Sequence, residues 1–260
     1  SGVDIRMKIL ITGYKGFIGQ NIVKALSGKH VLSFHEIDDE FPNIRGLDWV
    51  IHLGAVSATT GGIEEVMVNN YEFSLKLYDE CVKHNVNLQW ASSASVYGTT
   101  DSFVEANTPN PGSPYSWSKY LMERYIEQNP SDIIVQGFRY FNVYGPHEDH
   151  KGNMASPYHK FSEEAKGSKT ITLFKGSSKF LRDFIPVSDV IDMHMQFLDK
   201  NISGVFNMGT GVAKSFLDVA KEIQKEYPGT ELNYIPMPLN IKQNYQKYTC
   251  ADMSKTRDIL

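Results

Sequence analysis

Apolar residues occur in short, β-branched runs that alternate with amphipathic stretches along the first half of the chain. The runs cover residues 8–12, 30–34, 49–53, 87–92 and 133–139. Runs of this kind, bounded by glycine or polar residues, are typical of strands buried on both faces of a sheet. Between the third and fourth runs, five residues recur at steps of three and four and form one stripe of an amphipathic helix. They are Val66, Asn70, Phe73, Leu77 and Cys81. Repeated strand, helix, strand predicts an α/β fold with a doubly wound parallel sheet.

Composition and charge exclude several classes of protein. The 260 residues carry 26 Lys and Arg against 30 Asp and Glu, so no basic field exists to hold nucleic acid or an anionic membrane. No apolar run approaches the roughly 20 residues that span a bilayer. Cys81 and Cys250 are too few for a disulfide framework, which favours a reducing compartment. We expect a soluble, cytoplasmic protein without nucleic-acid or membrane partners.

A glycine loop follows the first predicted strand and precedes a helix predicted over residues 20–26. It reads Gly13, Tyr14, Lys15, Gly16, Phe17, Ile18 and Gly19. Glycines at this spacing allow a tight turn and let backbone amides approach a pyrophosphate at the positive end of a helix dipole. The loop therefore predicts a dinucleotide-binding, Rossmann-like domain, with these seven residues at the cofactor.

The form of the cofactor depends on the residue at the end of the second strand. NAD sites usually place an acid there to bind the ribose hydroxyls, but His35 occupies the expected position and Glu36 follows it. Lys15 in the glycine loop is able to neutralise a 2′-phosphate. We therefore expect His35 at the cofactor and favour NADP, with NAD as the alternative.

The second half of the chain has a less regular pattern. Helices are predicted at 161–166 and 215–227 and a strand at 170–174, and further apolar segments cover 189–198, 204–208 and 231–235. We expect a dinucleotide-binding domain of residues 7–145, joined by 181–206, and a smaller substrate lobe of residues 146–180 and 207–260. Residues 1–6, ahead of Met7, are expected to be an added leader.

Tyr115 and Lys119 place a phenol and an ammonium four residues apart, on one face of a predicted helix. A cation so placed favours the phenolate and lowers the pKa of the tyrosine, as a general base requires. Ser93 closes the fourth strand, at the carboxyl edge where such sheets present catalytic groups. Its hydroxyl is suited to bind the same substrate oxygen as the tyrosine.

The glycine loop, the serine and the Tyr-x-x-x-Lys pair, in this order, resemble the extended short-chain dehydrogenase/reductase family, the NAD-dependent epimerases and dehydratases of nucleotide sugars. The resemblance implies a catalytic set of Ser93, Tyr115 and Lys119. It also implies a nucleotide-diphosphate sugar as substrate and a homo-oligomer. Further cofactor contacts implied by the family pattern are Leu53, Gly54, Ala55, Asn70 and Ser92, beside Tyr115 and Lys119 themselves.

The stretches 55–60, 69–71, 137–146 and 150–156 narrow the resemblance to the nucleotide-sugar epimerases of that family. It implies Lys151 as a second acid/base opposite Tyr115, and an epimerisation through transient oxidation to a keto-sugar. The implied substrate contacts are Ser57, Ser93, Asn142, Asn153, Arg182 and Tyr245. An arginine suits a diphosphate because its planar fork donates two parallel hydrogen bonds. The stretch from Phe34 to Trp49 is shorter than is usual in this family, and Lys160 stands where a sugar-contacting histidine is usual.

Other functions remain open at this point. A 4-epimerase, a dehydratase and a keto-sugar reductase use the same scaffold, although Ala94 and Ser95 replace the Asp-Glu pair typical of dehydratases. A cofactor-binding sensor without catalysis is the alternative from another class. The polar loop 147–150 is predicted to be solvated and to bind no metal. Tyr97 and Tyr144 have no assigned role.

Overall fold

Six parallel strands form the central sheet of the protein, which a computed structural model describes over residues 5–56, 62–243 and 245–260. The strand order is β10-β5-β4-β3-β1-β2. The strands are β1 (Lys8–Thr12), β2 (Val31–His35), β3 (Trp49–His52), β4 (Asn87–Ser93), β5 (Val135–Tyr140) and β10 (Gly204–Met208). The doubly wound α/β fold that the sequence predicts is therefore confirmed.

Helices cover both faces of this sheet. They are α1 (Phe17–Leu26), α3 (Phe73–His84), α4 (Pro114–Gln128) and α6 (Val187–Leu198). Side chains alternate along a strand, so Ile9 and Ile11 of β1 pack with α1 and α6, while Leu10 packs with α3 and α4. Because the inner strands of the sheet are covered on both faces, their apolar runs carry little alternation in the sequence, whereas the edge strand β2 exposes Val31 and Phe34.

The helix predicted between the third and fourth strands contains an irregular turn. A short helix α2 (Ile63–Val66) continues through a π-helical turn (Met67–Glu72) into α3, which ends at Asn85 in the left-handed conformation. A π-helical turn holds one extra residue, which changes the direction of the side chains that follow it. Asn70 lies in this turn and is buried.

The second half of the chain builds a smaller lobe with its own apolar core. Its elements are β6 (Asn142–Tyr144), α5 (Pro157–Gly167), β7 (Thr170–Phe174), β8 (Leu181–Arg182), β9 (Phe184–Pro186), β11 (Lys214–Ser215), α7 (Phe216–Glu226), β12 (Glu231–Ile235), α8 (Leu239–Lys242) and α9 (Ser254–Ile259). The core of the lobe contains Phe161, Ile171, Leu173, Val219 and Ile223. Strand β10 extends the central sheet to Met208, two residues beyond the predicted boundary at 206.

Helix α1 begins earlier than the sequence predicts. Gly16 is its N-cap, so the helix starts at Phe17 within the glycine loop rather than at residue 20. Strand β2 is an edge of the sheet, since residues 36–48 add no strand beside it. Across the described ranges, no helix combines the length and the apolar character needed to cross a bilayer.

Candidate active site

The glycine loop is packed tightly against the end of β3. Gly13 has a φ of +67°, and a Cβ there would lie 2.7 Å from the backbone of Gly54. A Cβ at Gly19 would collide with the carbonyl oxygen of Gly13. Among the described residues no side chain caps the N-terminus of α1, so the amides of its first turn from Phe17 onward have no intrahelical acceptor, while the amide of Gly16 donates to Gly13 O at 3.1 Å. These residues fit the pyrophosphate of a dinucleotide.

The aromatic side chains of the loop serve packing. Tyr14 lies against Phe34 with 4.9 Å between ring centroids. Phe17 is buried in the core beside Ile22, and Ile18 packs against the same cluster. The side chains of these residues therefore fix the loop on the sheet, and only their backbone groups are left to meet a cofactor.

At the end of β2, the side chain of His35 is buried and that of Glu36 reaches the glycine loop. The His35 ring is buried and stacks on Phe73 at 5.2 Å, and its carbonyl oxygen accepts a hydrogen bond from Gly13 N at 2.9 Å. The side chain predicted to meet the ribose thus points into the core. Glu36 instead places its carboxylate at the loop, where it accepts a hydrogen bond from Lys15 N at 2.8 Å.

A chain of buried hydrogen bonds ties the strand ends together below the glycine loop. Thr12 Oγ1 lies 2.5 Å from His52 Nδ1, and His52 Nε2 lies 2.8 Å from Ser74 Oγ. Ser74 donates to the carbonyl oxygen of Asn70, so its oxygen accepts from His52 Nε2 and Thr12 donates to Nδ1. Burial, with the nearby Lys119 and His35, lowers the pKa of His52 to about 3, so this ring is neutral.

Thr12 and Asn70 hold the segment that follows β3. Thr12 Oγ1 accepts hydrogen bonds from Leu53 N at 3.1 Å and Gly54 N at 3.2 Å. Asn70 Oδ1 accepts from Val56 N at 2.7 Å, and Nδ2 donates to Val56 O at 2.8 Å. Asn70 thereby clamps the backbone next to Ala55, and its contact with a cofactor stays a prediction. The predicted substrate contact Ser57 lies outside the described residues.

Tyr115, Lys119 and Ser93 meet at the carboxyl edge of the sheet. Lys119 Nζ donates to Ala91 O at 2.8 Å and lies 5.5 Å from the centroid of the Tyr115 ring. Burial lowers the pKa of Lys119 to about 8. Burial also raises the pKa of Tyr115, and a hydrogen bond with the Ser93 hydroxyl opposes that rise. The net shift of this pKa is therefore upward, opposite to the direction that the sequence predicts from Lys119.

Ser92 and Ser93 point to opposite faces of the sheet, as neighbours on a strand must. Ser93 Oγ accepts a hydrogen bond from Ser95 N at 3.1 Å and borders Tyr115. Ser92 Oγ instead donates to Glu123 Oε2 at 2.6 Å in the core. The Ser92 side chain therefore lies away from the cofactor site in which it was predicted.

Lys151 lies beside the glycine loop. Its Nζ is 4.7 Å from the centroid of the Phe17 ring and 3.8 Å from Glu148 Oε1. Glu148 is buried and anchors the loop by accepting hydrogen bonds from Gly145 N and from the backbone and hydroxyl of Ser156. Burial lowers the pKa of Lys151, and Glu148 opposes that shift.

Arg182 and Tyr245 come together in the smaller lobe. The Arg182 guanidinium lies 5.1 Å from the centroid of the Tyr245 ring and 5.5 Å from that of Phe216. Tyr245 meets Phe180 edge to face at 4.7 Å. A cavity of about 250 Å³ opens beside Phe180, Phe216, Tyr245 and Lys160. This cavity offers aromatic faces and positive charge, the chemistry that binds a nucleotide base and its phosphates.

The two predicted asparagines lie on the surface near this lobe. Asn142 is exposed at the start of β6. The carbonyl oxygen of Asn153 accepts a hydrogen bond from Lys160 Nζ at 2.6 Å. The structure therefore links Lys160 to the predicted substrate contacts.

Tyr97 and Tyr144, whose roles the sequence left open, serve packing. The Tyr97 hydroxyl donates to Asn207 Oδ1 at 2.6 Å, and burial raises its pKa to about 12. Tyr144 stacks on Tyr158 at 3.9 Å. Where side chains are described, no three His, Cys, Asp or Glu residues form a group suited to a metal ion.

A second cavity lies apart from these groups. It has a volume of about 650 Å³ and borders the side of α4 that carries Glu123, Arg124 and Glu127. None of the predicted site residues lines it.

The chain belongs to the NAD dependent epimerase/dehydratase family, which its residues 9–209 match. This confirms the resemblance to the extended short-chain dehydrogenases/reductases. The structure is similar to ADP-L-glycero-D-manno-heptose-6-epimerase from Helicobacter pylori, with a TM-score of 0.87 and 27% sequence identity. That match covers 99% of this chain and 93% of the Helicobacter chain.

Two further solved structures have the same fold. A variant of UDP-glucuronic acid 4-epimerase from Bacillus cereus, in complex with UDP-4-deoxy-4-fluoro-glucuronic acid and NAD, matches with a TM-score of 0.81 and 25% identity over 97% of this chain and 92% of its own. UDP-N-acetylglucosamine 4-epimerase from Methanobrevibacter ruminantium M1 matches with a TM-score of 0.88 and 23% identity, over 98% and 92% of the two chains.

Proposed function

We propose that this protein is a nucleotide-sugar epimerase that works through transient oxidation of its substrate to a keto-sugar with a bound nicotinamide cofactor. One observation carries the proposal: Tyr115, Lys119 and Ser93 meet at the sheet edge that also bears the glycine loop. The intact catalytic set argues against a cofactor-binding sensor, which needs no general base.

The residues of the site handle protons and orientation. Tyr115 accepts the proton of a sugar hydroxyl as the carbon is oxidised, and the proton for the reduction comes from the opposite side of the keto-sugar. Ser93 donates a hydrogen bond to the same oxygen and stabilises the negative charge that develops on it. When bound, a nicotinamide would accept the hydride in the oxidation and return it in the reduction. No net redox change results, so the cofactor can stay bound.

Epimerisation needs hydride return on the opposite face of the keto-sugar, with a proton supplied from that side. Lys151 is our proposed second acid/base, and its lowered pKa suits proton exchange better than that of an ordinary lysine. Its position between Glu148 and Phe17 puts it beside the glycine loop. Substrate bound across the cleft would lie between this loop and Tyr115.

NAD is the cofactor that the charge distribution favours. The Glu36 carboxylate at the glycine loop would repel a 2′-phosphate and can accept hydrogen bonds from ribose hydroxyls. The Lys15 ammonium, on which the NADP expectation rested, lies 5.6 Å from the centroid of the Tyr14 ring. The Bacillus cereus 4-epimerase structure also contains NAD.

The substrate that we favour is an ADP-glycero-manno-heptose, epimerised at C6, which would place the enzyme in the synthesis of lipopolysaccharide precursors. The 27% identity with the Helicobacter enzyme over 99% of this chain supports this assignment. Arg182 and Tyr245 form the subsite for the nucleotide diphosphate. Epimerisation at C4 of a UDP-sugar is the second candidate, favoured by the 25% identical Bacillus cereus structure.

The test begins with denaturation of the purified protein and mass analysis of the dinucleotide and any sugar nucleotide released. NAD is expected, and NADP alone would contradict the assignment of the cofactor. The protein is then incubated with ADP-glycero-manno-heptose, UDP-glucose and UDP-glucuronic acid, and the sugar stereocentres are followed by NMR. Inversion at C6 supports the first candidate and inversion at C4 the second. Elimination of water without inversion would establish a dehydratase instead.

A further inference from the structure

Arg139 and Glu123 form a buried ion pair beneath the catalytic residues. Arg139 donates from Nη2 to Glu123 Oε1 at 2.5 Å and from Nε to Oε2 at 3.1 Å, and the two residues are 3% and 8% exposed. Ser92 donates to Glu123 Oε2 at 2.6 Å. Ser92 and Arg139 lie opposite each other in the register of β4 and β5. Side chains from two neighbouring strands therefore bind the carboxylate of Glu123 on α4.

The pair lies one turn from the catalytic lysine. Tyr115, Lys119 and Glu123 follow one another at steps of four residues on α4, so their side chains share one face of the helix. Lys119 donates to Ala91 O, and Glu123 accepts from Ser92 Oγ. Two successive turns of α4 are thus fixed to two successive residues of β4, the strand that ends at Ser93.

Arg139 also contacts the turn that follows Ser93. Its guanidinium carbon lies 4.7 Å from the centroid of the Tyr97 ring, and Tyr97 ends the short 3₁₀ turn Ala94–Tyr97. The Tyr97 hydroxyl is itself held by Asn207. Arg139 therefore lies next to Ser92 and Tyr97, which are on either side of Ser93 in the sequence. Its ion pair with Glu123 also joins it to α4, the helix that carries Tyr115.

Stability alone does not explain a charged pair at this position. Removing two charges from water costs about as much as their attraction returns, and well-packed apolar residues often serve equally well. An apolar contact tolerates sliding and rotation of a helix, whereas a bidentate ion pair has one favourable geometry. The pair thus restricts the orientation of α4 on the sheet.

We propose that Arg139 and Glu123 are positioning residues, which hold α4 in the orientation that brings Tyr115 to Ser93. The proposal rests on the proposed function, because it assigns the pair a role in the proton transfer by Tyr115. Neither residue contacts the reacting atoms, so the pair should affect kcat far more than KM or cofactor affinity.

The deciding variant replaces the pair by apolar residues, Glu123→Leu with Arg139→Met. It leaves no uncompensated charge in the core, so its unfolding temperature should stay within about 5 °C of that of the parent protein. A displacement of Tyr115 by about 1 Å should lower kcat about 100-fold. The KM and the Kd for NAD should change less than about threefold, since misplacement acts on the chemical step.

The control is an ion pair on the surface of the same helix. Arg124 Nη1 lies 3.0 Å from Glu127 Oε2, and both side chains are exposed. Arg124→Met with Glu127→Leu should leave kcat, KM and cofactor affinity unchanged. If the double variant of the buried pair matches this control in kcat, the proposed positioning role is wrong.

A second readout does not require turnover. With ¹³C-labelled tyrosine, the titration of Tyr115 is followed by NMR in the NAD complex and assigned with Tyr115→Phe. Loss of the Ser93 hydrogen bond should raise the Tyr115 midpoint by about one unit in the double variant and leave it unchanged in the control. An unchanged midpoint overturns the proposal. If the parent protein acts on no nucleotide sugar, the proposed function fails, whereas this comparison still decides the positioning role.

Ser92→Ala gives an independent variant that keeps both charges paired. Removing one of the three hydrogen bonds to Glu123 should lower kcat about five- to tenfold with an unchanged KM, as expected for a hydrogen bond to a charged group. Ser92→Thr retains the hydroxyl and should restore most of the rate. Should the apolar double variant not fold, equal rates for Ser92→Ala and the parent protein would contradict the proposal.

Discussion

The ammonium nitrogen of Lys119 lies 2.8 Å from the carbonyl oxygen of Ala91, a residue of β4 two positions before Ser93. This contact fixes the side chain below the Tyr115 ring and removes it from water. The ammonium consequently loses its proton more readily than that of an ordinary lysine, and its pKa falls to about 8. The charge of Lys119 therefore depends on pH within the range in which enzymes are assayed.

We predict that kcat of the parent protein declines above pH 8, because the charged form of Lys119 is lost there. Lys119→Arg keeps a positive charge to higher pH, since a guanidinium does not titrate in this range. This variant should be slower at pH 7 but should lack the decline. The measurement is a pH profile of kcat for both proteins. A decline at the same pH in Lys119→Arg would assign it to another group.

Replacement of Tyr115 by Phe should remove the general base. We expect kcat to fall by about 10² to 10⁴, with the Kd for NAD within about threefold of the parent value. Single-turnover reduction of the nicotinamide after mixing with nucleotide sugar provides the measurement. Tyr120→Phe, on the same helix, is the matched control. If Tyr115→Phe keeps the parent rate, the protein is no epimerase of the proposed type.

The two-base mechanism predicts a particular defect for Lys151→Ala. Oxidation by Tyr115 should persist, so transient reduction of the bound nicotinamide after mixing with nucleotide sugar should remain measurable by absorbance. Net inversion should fall by about 10² or more, since a proton donor for the opposite face is missing. Lys166→Ala, an exposed lysine of α5, is the control. Inversion at the parent rate in Lys151→Ala would refute the role of this lysine.

Glu36 should determine the choice between the two cofactors. Glu36→Gln removes the negative charge at the glycine loop and should shift the ratio of the Kd values for NADP and NAD at least about tenfold toward NADP. Calorimetric titration with each dinucleotide measures the ratio. Asp38→Asn changes an exposed acid in the segment that follows β2 and should leave the ratio of the two Kd values unaltered. If Glu36→Gln and the parent protein have the same ratio of Kd values, Glu36 does not determine which cofactor binds.

His52 and His194 should make the folded protein sensitive to acid. Burial lowers both pKa values to about 3, against 6.5 for an unperturbed histidine. Between these values the unfolded chain binds more protons than the folded one, so stability falls as pH drops below 6.5. Each residue should contribute up to about 1.4 kcal/mol per pH unit. Urea unfolding from pH 7 to pH 4 should show a shallower slope in His52→Gln, and the parent slope in His150→Gln.

Local patterns were enough to predict several parts of this protein. The apolar runs predict the central strands because each run is long enough for one buried strand and is bounded by residues that end it. The glycine loop and the pair Tyr115 and Lys119 are equally local, since a turn and one helical step set their geometry. The start of α1 was predicted too late, because the loop glycines mask a helix that begins at Phe17.

The directions of several side chains were not predictable in the same way. Ser92 and His35 lie next to functional positions in the sequence, yet their side chains are buried against Glu123 and Phe73. Which face of a strand meets the core follows from its register in the sheet. The charged Arg139 within an apolar run was a signal of a buried ion pair, but its partner on α4 was not evident from the sequence.

The sequence by itself determined the strands of the sheet, the glycine loop and the helical spacing of Tyr115 and Lys119, because each of these depends on residues within a few positions of one another. Only the tertiary structure brought Arg182 to Tyr245, the carboxylate of Glu36 to the amide of Lys15, and Arg139 to Glu123. Contacts of this kind join residues far apart in the chain, and their geometry follows from how helices and strands pack rather than from any local pattern.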